Sequence, residues 1–341
     1  MIIDPPGIRP HRLHIILCVC LALFLTNLSA HAQSKNWQLT WSDEFNAPNG
    51  TPPDPAKWNI VTGGKGFGNN ELETYTANPA NAQQQNGNLV ITARKEDVTG
   101  PDGVPRHYTS ARLNTRNHFT QKYGRFEARI QLPTGQGIWP AFWLLGDDHN
   151  KNPWPNCGEI DILETIGAPD TMYSTLHGPG YSGGKGISQK FPLPAGESVT
   201  AFHLYAVEWS PNDIKFFLDD HLIAHRTPAN LPPNTKWVYD HPFYILLNFA
   251  VGGKWPGNPD DTTVFPQQML VDYVRVYSRN PEAPTKPNVS SHESSPRYTA
   301  EPGAPSSRGL IALRWASPKG RPLSYPGPEL YTPVTTQQGR P

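Results

Sequence analysis

Hydrophobic and polar residues alternate along short segments through most of the chain. The alternation is clear at residues 125–130 (RFEARI) and 271–277 (VDYVRVY), and a period of two is typical of a strand with one buried face. Residues 215–218 and 221–224 are apolar runs separated by two aspartates, which predicts a β-hairpin. Many short strands without helical periodicity between them predict an all-β jelly-roll sandwich of antiparallel sheets.

The two ends of the chain differ from this central pattern. Residues 1–32 combine a basic start, an apolar run of 14 residues and an Ala-His-Ala sequence, which predicts a secretory signal peptide cleaved after Ala32. The apolar run is too short to span a bilayer. Residues 280–341 are rich in Pro, Ser, Gly and Thr, which predicts a disordered tail. We therefore expect a catalytic domain at residues 33–279 of a secreted or periplasmic protein, without a membrane span after cleavage.

Composition narrows the class of protein further. The 341 residues include 29 Lys+Arg and 29 Asp+Glu, so the formal net charge is zero. A protein that binds nucleic acid needs a basic surface to neutralise phosphates, so nucleic acid is not expected as a partner. Cys18 and Cys20 lie in the predicted signal peptide, which leaves Cys157 without a disulfide partner. Stability must then come from a large hydrophobic core, and a monomer is expected.

Three acidic residues lie close together in residues 157–165 (CGEIDILET). In a β-strand, Glu159 and Asp161 point to one face, whereas strict alternation would bury Glu164 in the core. Because burying an unpaired carboxylate is costly, we predict a β-bulge at residues 162–163 that returns Glu164 to the acidic face. Three carboxylates would then line one face of a sheet.

Such a row of carboxylates fits the chemistry of a retaining glycoside hydrolase. Neighbouring carboxylates repel one another, so the pKa of at least one of them rises. One carboxylate then attacks the anomeric carbon, while a protonated one donates its proton to the leaving oxygen. A calcium site and a solvated strand face are the alternatives, although calcium prefers oxygen ligands from loops. The pattern alone leaves these alternatives open.

The sequence around these acids resembles glycoside hydrolase family 16, and within it the laminarinase-like bacterial endo-β-1,3-glucanases. Residues 158–164 (GEIDILE) match the E-x-D-x-x-E signature of that family. The further matching motifs are residues 41–46 (WSDEFN), 68–76 (GNNELETYT), 110–113 (SARL), 123–127 (YGRFE), 137–143 (GIWPAFW), 248–257 (NFAVGGKWPG) and 271–277 (VDYVRVY). The resemblance covers residues 37–277 and implies a jelly roll of two curved sheets, with a substrate cleft on the concave face.

The resemblance also implies roles for individual residues. Glu159 matches the nucleophile, Asp161 the acid that assists it, and Glu164 the general acid/base, and this chemistry requires no cofactor. Sugar rings stack their apolar faces on aromatic rings, while their hydroxyls need polar partners. The implied substrate-binding residues are Asn70, Glu71, Arg112, Trp139, Trp143, Trp154, His177 and Trp255.

Several of these residues have a structural alternative. Most Trp side chains in a β-sandwich are buried, and Trp41, Trp58 and Trp209 are expected in the core. Without the family match, the polar candidates Asn70, Glu71 and Arg112 serve equally well as loop caps or surface ion pairs. A lone histidine after a strand, such as the one at position 177, is more often structural than functional.

A structural Ca²⁺ that ties the first and last strands together is a further implication of the resemblance. Glu44, Gly87 and Asp272 match the positions of its ligands in several family members. Hard oxygen donors suit calcium. The alternative is that Glu44 and Asp272 are solvated or ion-paired acids.

These observations predict a secreted enzyme that hydrolyses internal β-1,3 bonds of a neutral β-glucan with retention of configuration. One alternative is a hydrolase or transglycosylase of another polysaccharide, such as a mixed-linkage glucan or an agar-type galactan. A non-catalytic β-glucan-binding module is another, although the intact acids Glu159, Asp161 and Glu164 argue against it. Cys157 is not expected to act as a nucleophile, because a lone buried thiol is usually inert.

Overall fold

The computed structural model describes residues 36–100 and 102–280, and the predicted signal peptide and residues 281–341 of the predicted tail lie outside them. The regular secondary structure of the described chain consists almost entirely of β-strands. These are β1 (Trp37–Asp43), β2 (Asn59–Val61), β3 (Glu73–Tyr75), β4 (Ala82–Gln85), β5 (Asn88–Thr99), β6 (Pro105–Ser110), β7 (Arg112–Asn114), β8 (Gly124–Gln131), β9 (Ile138–Gly146), β10 (Glu159–Glu164), β11 (Thr171–His177), β12 (Ile187–Pro192), β13 (His203–Ser210), β14 (Asp213–Leu218), β15 (His221–Arg226), β16 (Phe243–Val251) and β17 (Gln267–Arg279). Short 3-10 turns lie at Gly66–Gly68, Gly183–Lys185 and Pro228–Asn230.

The strands form two sheets around one core. The ten-stranded sheet has the order β15-β14-β13-β8-β17-β5-β6-β3, with β1 paired to β17 and β4 to β5. The seven-stranded sheet has the order β12-β11-β10-β9-β16-β7-β2. Among the described strands, β3 and β6 pair in parallel and the other pairs are antiparallel. Neighbours in each sheet are often distant in sequence, which is typical of a jelly roll and confirms the predicted fold class.

The core lies between the two sheets and uses the alternating apolar positions of the strands. Phe126 of β8 and Ile160 of β10 are fully buried in the same cluster, although they belong to different sheets. Trp58 and Trp209 lie in this cluster and Trp41 packs against it, as predicted. Among the residues that the structure describes, none forms a helix that is long and apolar enough to cross a membrane.

The predicted hairpin is formed by β14 and β15, which pair in antiparallel fashion. Asp219 and Asp220 at its tip have φ angles of 47° and 68°. Left-handed conformations at both central residues are those of a type I′ turn, whose twist matches that of the flanking strands. The acidic pair therefore marks the turn, as the sequence pattern indicated.

Strand β10 lies between β9 and β11 in the seven-stranded sheet. Its pairing with β9 shifts by one residue between Asp161 and Leu163, and its pairing with β11 shifts between Asp161 and Glu164. Ile162 is therefore the extra residue of a β-bulge, which confirms the bulge predicted at this point. Ile162 and Leu163 are both fully buried, so the bulge keeps the apolar side chains in the core and frees Glu164 for the opposite face.

Candidate active site

The three acids of β10 lie side by side on the face of the seven-stranded sheet that points away from the core. The charge of Asp161, which lies between the other two in the strand, acts on both Glu159 and Glu164. The Glu159 side chain is 17% exposed and that of Asp161 is 5% exposed. The carboxyl groups are therefore close together, largely removed from water, and open to the cleft mainly through Glu159.

Burial and mutual repulsion change the protonation of this row. Burial, with repulsion from Asp161, raises the pKa of Glu159 to about 8. Burial also raises the pKa of Asp161, while a hydrogen bond with Glu159 opposes that rise. Burial and the charge of Asp161 raise the pKa of Glu164 well above its ordinary value. The row therefore keeps protons at neutral pH, and Glu164 has the protonated form that a general acid needs.

His177 adds a basic group to the row from the neighbouring strand. It lies opposite Glu159 in the pairing of β10 with β11. Its Nε2 atom is 3.1 Å from Asp161 Oδ2 and 3.7 Å from Glu159 Oε1. The ligand atoms of these three residues lie within 4.8 Å of one another, a spacing that a cation also accepts. The interaction with His177 opposes the rise in the pKa of Glu159 and so favours its ionised form, which is the form that a nucleophile requires.

A glycine makes room for this histidine. A Cβ atom at Gly186 would lie 2.4 Å from His177 Cε1 and 2.6 Å from its Nδ1. Such contacts are far shorter than ordinary van der Waals distances. The segment that enters β12 can therefore pack against the imidazole only because residue 186 has no side chain.

Two indoles act on the outer acids of the row. Trp139 Nε1 donates to Glu164 Oε1 at 2.9 Å. The Trp154 side chain, which is within hydrogen-bonding reach of Glu159, lowers the pKa of that residue in opposition to burial. Because a Trp side chain can only donate, each indole orients one carboxyl group and leaves its other oxygen for the substrate.

Further aromatic rings form one wall of the cleft beside Glu164. Trp255 is 40% exposed and contacts Trp139 edge to face, with ring centroids 5.6 Å apart. Tyr173 contacts Trp255 in a similar way at 4.8 Å. The Arg112 guanidinium lies 4.9 Å from the ring centroid of Trp143, which orients a polar group beside an aromatic surface. These side chains provide the apolar faces and donors that sugar rings need.

The predicted polar contacts Asn70 and Glu71 occupy different environments. Asn70 is exposed and has a φ angle of 59°, so it lies at the surface of its turn. Glu71 is 8% exposed, and its two oxygens accept hydrogen bonds from Asn69 Nδ2 and the Tyr75 hydroxyl, both at 3.1 Å. Glu71 therefore lies inside the cleft wall, where its oxygens are already engaged by the protein.

Two polar residues of the wall, Asn248 and Tyr75, were not singled out as site residues from the sequence. Asn248 Oδ1 accepts from Trp143 Nε1 at 2.7 Å, and Asn248 Nδ2 donates to the Tyr75 hydroxyl at 3.2 Å. A signal for Asn248 was available, because apart from Tyr244 it is the single polar residue in the fully buried strand β16 (FYILLNFAV). A buried amide needs partners, so a lone Asn in such a strand indicates a buried hydrogen-bond network.

The predicted calcium ligands are engaged in other interactions. Both oxygens of Glu44 accept from Arg275, at 2.9 Å and 2.7 Å. Asp272 Oδ2 accepts from Arg129 Nη1 at 2.7 Å, and Gly87 lies at the turn between β4 and β5. As arranged, these carboxylates are neutralised by guanidinium groups, which a calcium ion would have to displace. The ion-paired alternative describes Glu44 and Asp272 in this structure.

Cys157 is the free cysteine of the described residues and is fully buried just before β10. Burial, together with the charges of Asp148 and Glu159, raises the pKa of its thiol to about 12. The thiolate is the reactive form of cysteine. A buried thiol with a raised pKa favours the inert role expected for Cys157.

Comparison with known proteins agrees with the geometry. The profile of the family "Glycosyl hydrolases family 16" matches residues 69–275. The chain belongs to glycoside hydrolase family 16. It is 40% identical over 276 residues to a β-glucanase of Rhodothermus marinus, covering 78% of this chain and 94% of that protein. It is 36% identical over 265 residues to a glucan endo-1,3-β-glucosidase of Cryptopygus antarcticus, covering 72% of this chain and 93% of that protein.

A solved structure gives the same result. The X-ray structure of an endo-β-1,3-glucanase from Pyrococcus furiosus has a TM-score of 0.68 and 46% identity to this family 16 chain. The similarity covers 72% of this chain and 95% of that one. The resemblance inferred from the motifs is thus confirmed for the family and for the jelly-roll fold.

The raised pKa values of this family 16 site make stability depend on pH. The pKa of Glu159 is about 8 in the folded protein, against an ordinary value of 4.5, so the folded state binds more protons and loses stability as pH rises between these values. Glu159→Gln removes that loss. We expect a Tm above that of the unmodified protein at pH 8, by about 2–4 °C for each kcal/mol, and little difference at pH 4. A Tm difference that does not change with pH would contradict the assignment.

Proposed function

We propose that this chain is an endo-acting hydrolase that cleaves internal β-1,3-glucosidic bonds of laminarin-like β-glucans with retention of configuration. The observation that carries the proposal is the row of Glu159, Asp161 and Glu164 on the bulged strand β10, with Glu164 held by Trp139 Nε1 at 2.9 Å. Similarity to a glucan endo-1,3-β-glucosidase and to an endo-β-1,3-glucanase structure supports the linkage.

The first chemical step uses the two outer acids of the row. The Glu159 carboxylate attacks the anomeric carbon, and the carbon–oxygen bond to the leaving sugar breaks. Protonated Glu164 gives its proton to the departing oxygen, so the leaving sugar departs as a neutral alcohol. Glu159 and Asp161 are hydrogen-bonded to each other and titrate as a pair; in the reactive form the shared proton lies on Asp161, which leaves Glu159 as the carboxylate. The product is a glycosyl ester of Glu159 with inverted configuration.

The second step returns the enzyme to its starting state. Glu164 is now a carboxylate and takes a proton from a water molecule as the oxygen of that water attacks the anomeric carbon. The ester bond to Glu159 breaks, which releases the sugar with a second inversion and therefore net retention. Glu164 is protonated again, and the chemistry requires only carboxyl groups and water.

The substrate class follows from the character of the cleft. Trp255 and Trp139 offer aromatic faces, and Arg112 offers donors beside Trp143. This combination suits the apolar faces and hydroxyls of neutral sugars. The formal net charge of zero does not favour a polyanionic polysaccharide, which a basic cleft would attract.

The substrate assignment is tested by product profiles on laminarin, lichenan, agarose and xyloglucan, measured side by side. We expect rapid release of short oligosaccharides from laminarin, and slower release from lichenan. Activity confined to agarose would overturn the glucanase assignment and leave the mechanism intact. Binding to laminarin without release of reducing sugar would instead identify a non-catalytic binding module.

A structural calcium ion at Glu44, Gly87 and Asp272 stays a proposal. Binding requires the two carboxylates to exchange Arg275 and Arg129 for the ion. A ligand at about 100 times its Kd stabilises the folded protein by about 2.7 kcal/mol. The Tm in calcium should therefore be higher than the Tm in EDTA. Glu44→Gln should abolish that rise. Equal Tm values in calcium and in EDTA would reject the site.

Export and oligomeric state are proposals of the same kind. We propose that residues 1–32 direct export and that the mature chain begins at Gln33. We propose also that the enzyme is a monomer. Sequencing of the N-terminus of the mature protein tests the first proposal, since an intact Met1 would reject it. The mass in solution tests the second, since a dimer would reject it.

A further inference from the structure

A second pair of carboxyl groups lies beside the cleft and has no role in the mechanism above. Glu73 in β3 is fully buried and Glu71, just before that strand, is 8% exposed. Burial, with repulsion from the nearby Glu71, raises the pKa of Glu73 well above its ordinary value. Two adjacent buried carboxylates cannot both ionise without a large cost, so the pair holds a proton at neutral pH.

The hydrogen bonds indicate which residue carries that proton. Glu71 accepts from Asn69 Nδ2 and from the Tyr75 hydroxyl, so both of its oxygens already serve as acceptors. Glu73 Oε2 accepts from the Val251 backbone N–H at 2.7 Å. Glu73 Oε1 is buried and has no donor among the described residues. A proton on Glu73 Oε1 that points to Glu71 satisfies this oxygen, because the two carboxyl groups are within hydrogen-bonding reach.

Glu71 is also the end of a chain of hydrogen bonds that starts in the cleft. Trp143 Nε1 can only donate, so its bond to Asn248 Oδ1 fixes the orientation of that amide. Asn248 Nδ2 must then donate to the Tyr75 oxygen, and the Tyr75 hydroxyl donates to Glu71 Oε2. Each donor in this chain points towards Glu71. One negative charge therefore orients the indole of Trp143 through two intermediates.

Glu73 is connected to the segment that carries Trp255. Its bond to Val251 N and the bond from Leu72 N to Val251 O at 2.8 Å hold the last residue of β16. Gly252 and Gly253 follow with φ angles of 71° and 115°, which turn the chain towards Trp255. Trp255 packs on Trp139, which donates a hydrogen bond to the proposed general acid Glu164. The hydrogen bonds that hold Val251 therefore set the position of this aromatic pair.

We propose that Glu71 and Glu73 form a proton-sharing pair, in which Glu71 is ionised and Glu73 is neutral. This pair positions Trp143 and the segment of residues 252–255 for the glucan chain. The proposal rests on the proposed function, since its effect is measured through glucan binding. Both are positioning residues: they act on the cleft through Tyr75, Asn248 and Val251. Loss of the shared proton would place two negative charges in one buried site and loosen both connections.

The charged and titratable groups around the pair come from three elements. Tyr75 on β3 donates to Glu71. Arg106 on β6 is near enough for its charge to interact with Glu73, but it is bonded to Asp102 at 2.7 Å. Arg112 on β7 is near enough for its charge to interact with Tyr75, and its guanidinium lies against the ring of Trp143. The pair therefore relies on its own proton rather than on a dedicated counter-ion.

The same chemical change at the two positions gives opposite expected results. Glu73→Gln keeps a neutral group with an oxygen for Val251 and an N–H donor for Glu71, so KM for laminarin should rise less than about threefold. Glu71→Gln leaves one amide oxygen for three donors and removes the charge. Its KM should rise at least about tenfold, with a smaller change in kcat. Glu197→Gln, at an exposed position, is the matched control.

The pH dependence of KM separates positioning from simple loss of structure. In the unmodified protein KM should rise at alkaline pH, when the pair loses its proton. In Glu73→Gln that rise should disappear, while kcat should still fall at alkaline pH, where Glu164 loses the proton that it needs as general acid. Tyr75→Phe, which cuts the same chain between Glu71 and Asn248, should raise KM in the same direction even if Glu71→Gln does not fold.

Each possible result has a defined meaning. If the unmodified protein does not cleave laminarin, the proposed function fails, independently of this inference. If the protein cleaves laminarin but the two Gln variants have equal KM values, the proton-sharing pair is rejected. The pair is also rejected if the alkaline rise of KM is unchanged in Glu73→Gln, or if Tyr75→Phe binds laminarin as well as the control does.

Discussion

Glu159→Gln is expected to lower kcat on laminarin by at least about 1,000-fold, because the amide cannot form the glycosyl ester on which both chemical steps depend. Folding should be preserved, since Gln has the shape of Glu and removes a repelling charge from a buried row. The measurement is release of reducing sugar together with binding of laminarin. Hydrolysis should be lost, whereas binding should change little, because the aromatic wall stays intact.

The control for this variant is Glu208→Gln in β13 of the other sheet, which should keep full activity. Azide gives a sharper identification of the nucleophile. In Glu159→Ala, azide occupies the space of the missing carboxylate and attacks an aryl laminarioligoside, which should yield an α-glycosyl azide. Full turnover in Glu159→Gln, or a β-glycosyl azide from Glu159→Ala, would show that Glu159 is not the nucleophile.

Glu164→Gln should lower laminarin hydrolysis by about 100- to 10,000-fold, the range typical of a lost general acid/base. A substrate with a good leaving group does not need protonation of that group. Formation of the glycosyl-enzyme from a dinitrophenyl laminarioligoside should therefore stay fast. Water attack on the ester should be slow, because the base is missing, and a burst of dinitrophenolate should precede a slow steady state.

Glu164→Ala provides the complementary result with azide. Azide needs no general base, so it should accelerate breakdown of the glycosyl-enzyme and give a β-glycosyl azide. Trp139→Phe, which removes the hydrogen bond to Glu164, should also lower the rate of laminarin hydrolysis, by a smaller factor than Glu164→Gln does. If Glu164→Gln slowed glycosyl-enzyme formation from good and poor leaving groups equally, Glu164 would not be the acid.

The arrangement of β10 could be predicted because it follows from local rules. Alternation places Glu159 and Asp161 on one face, and the cost of a buried charge requires one extra residue before Glu164. The observed shift at Ile162 is the physical solution to that conflict. The hairpin at Asp219-Asp220 was predictable for a similar reason, since its turn is coded by adjacent residues.

The rest of the site depends on contacts between distant segments. Tyr75, Trp143 and Asn248 come from β3, β9 and β16, and only the folded sheets place their polar atoms in one chain. Glu71 looked like a free sugar contact because it lies in a polar turn, but its oxygens are used inside the wall. Glu44 and Asp272 matched calcium ligands by position, yet cross-strand arginines pair with both.

The central claim is that Glu159 and Glu164 carry out a double displacement at a β-1,3-linked glucose. The most direct test is ¹H NMR of the reducing end released during the first minutes of digestion of a laminarioligosaccharide, before mutarotation mixes the anomers. We expect the β-anomer to appear first and the α-anomer to grow in later at the rate of mutarotation. Initial release of the α-anomer would show a single displacement with inversion and would contradict the account.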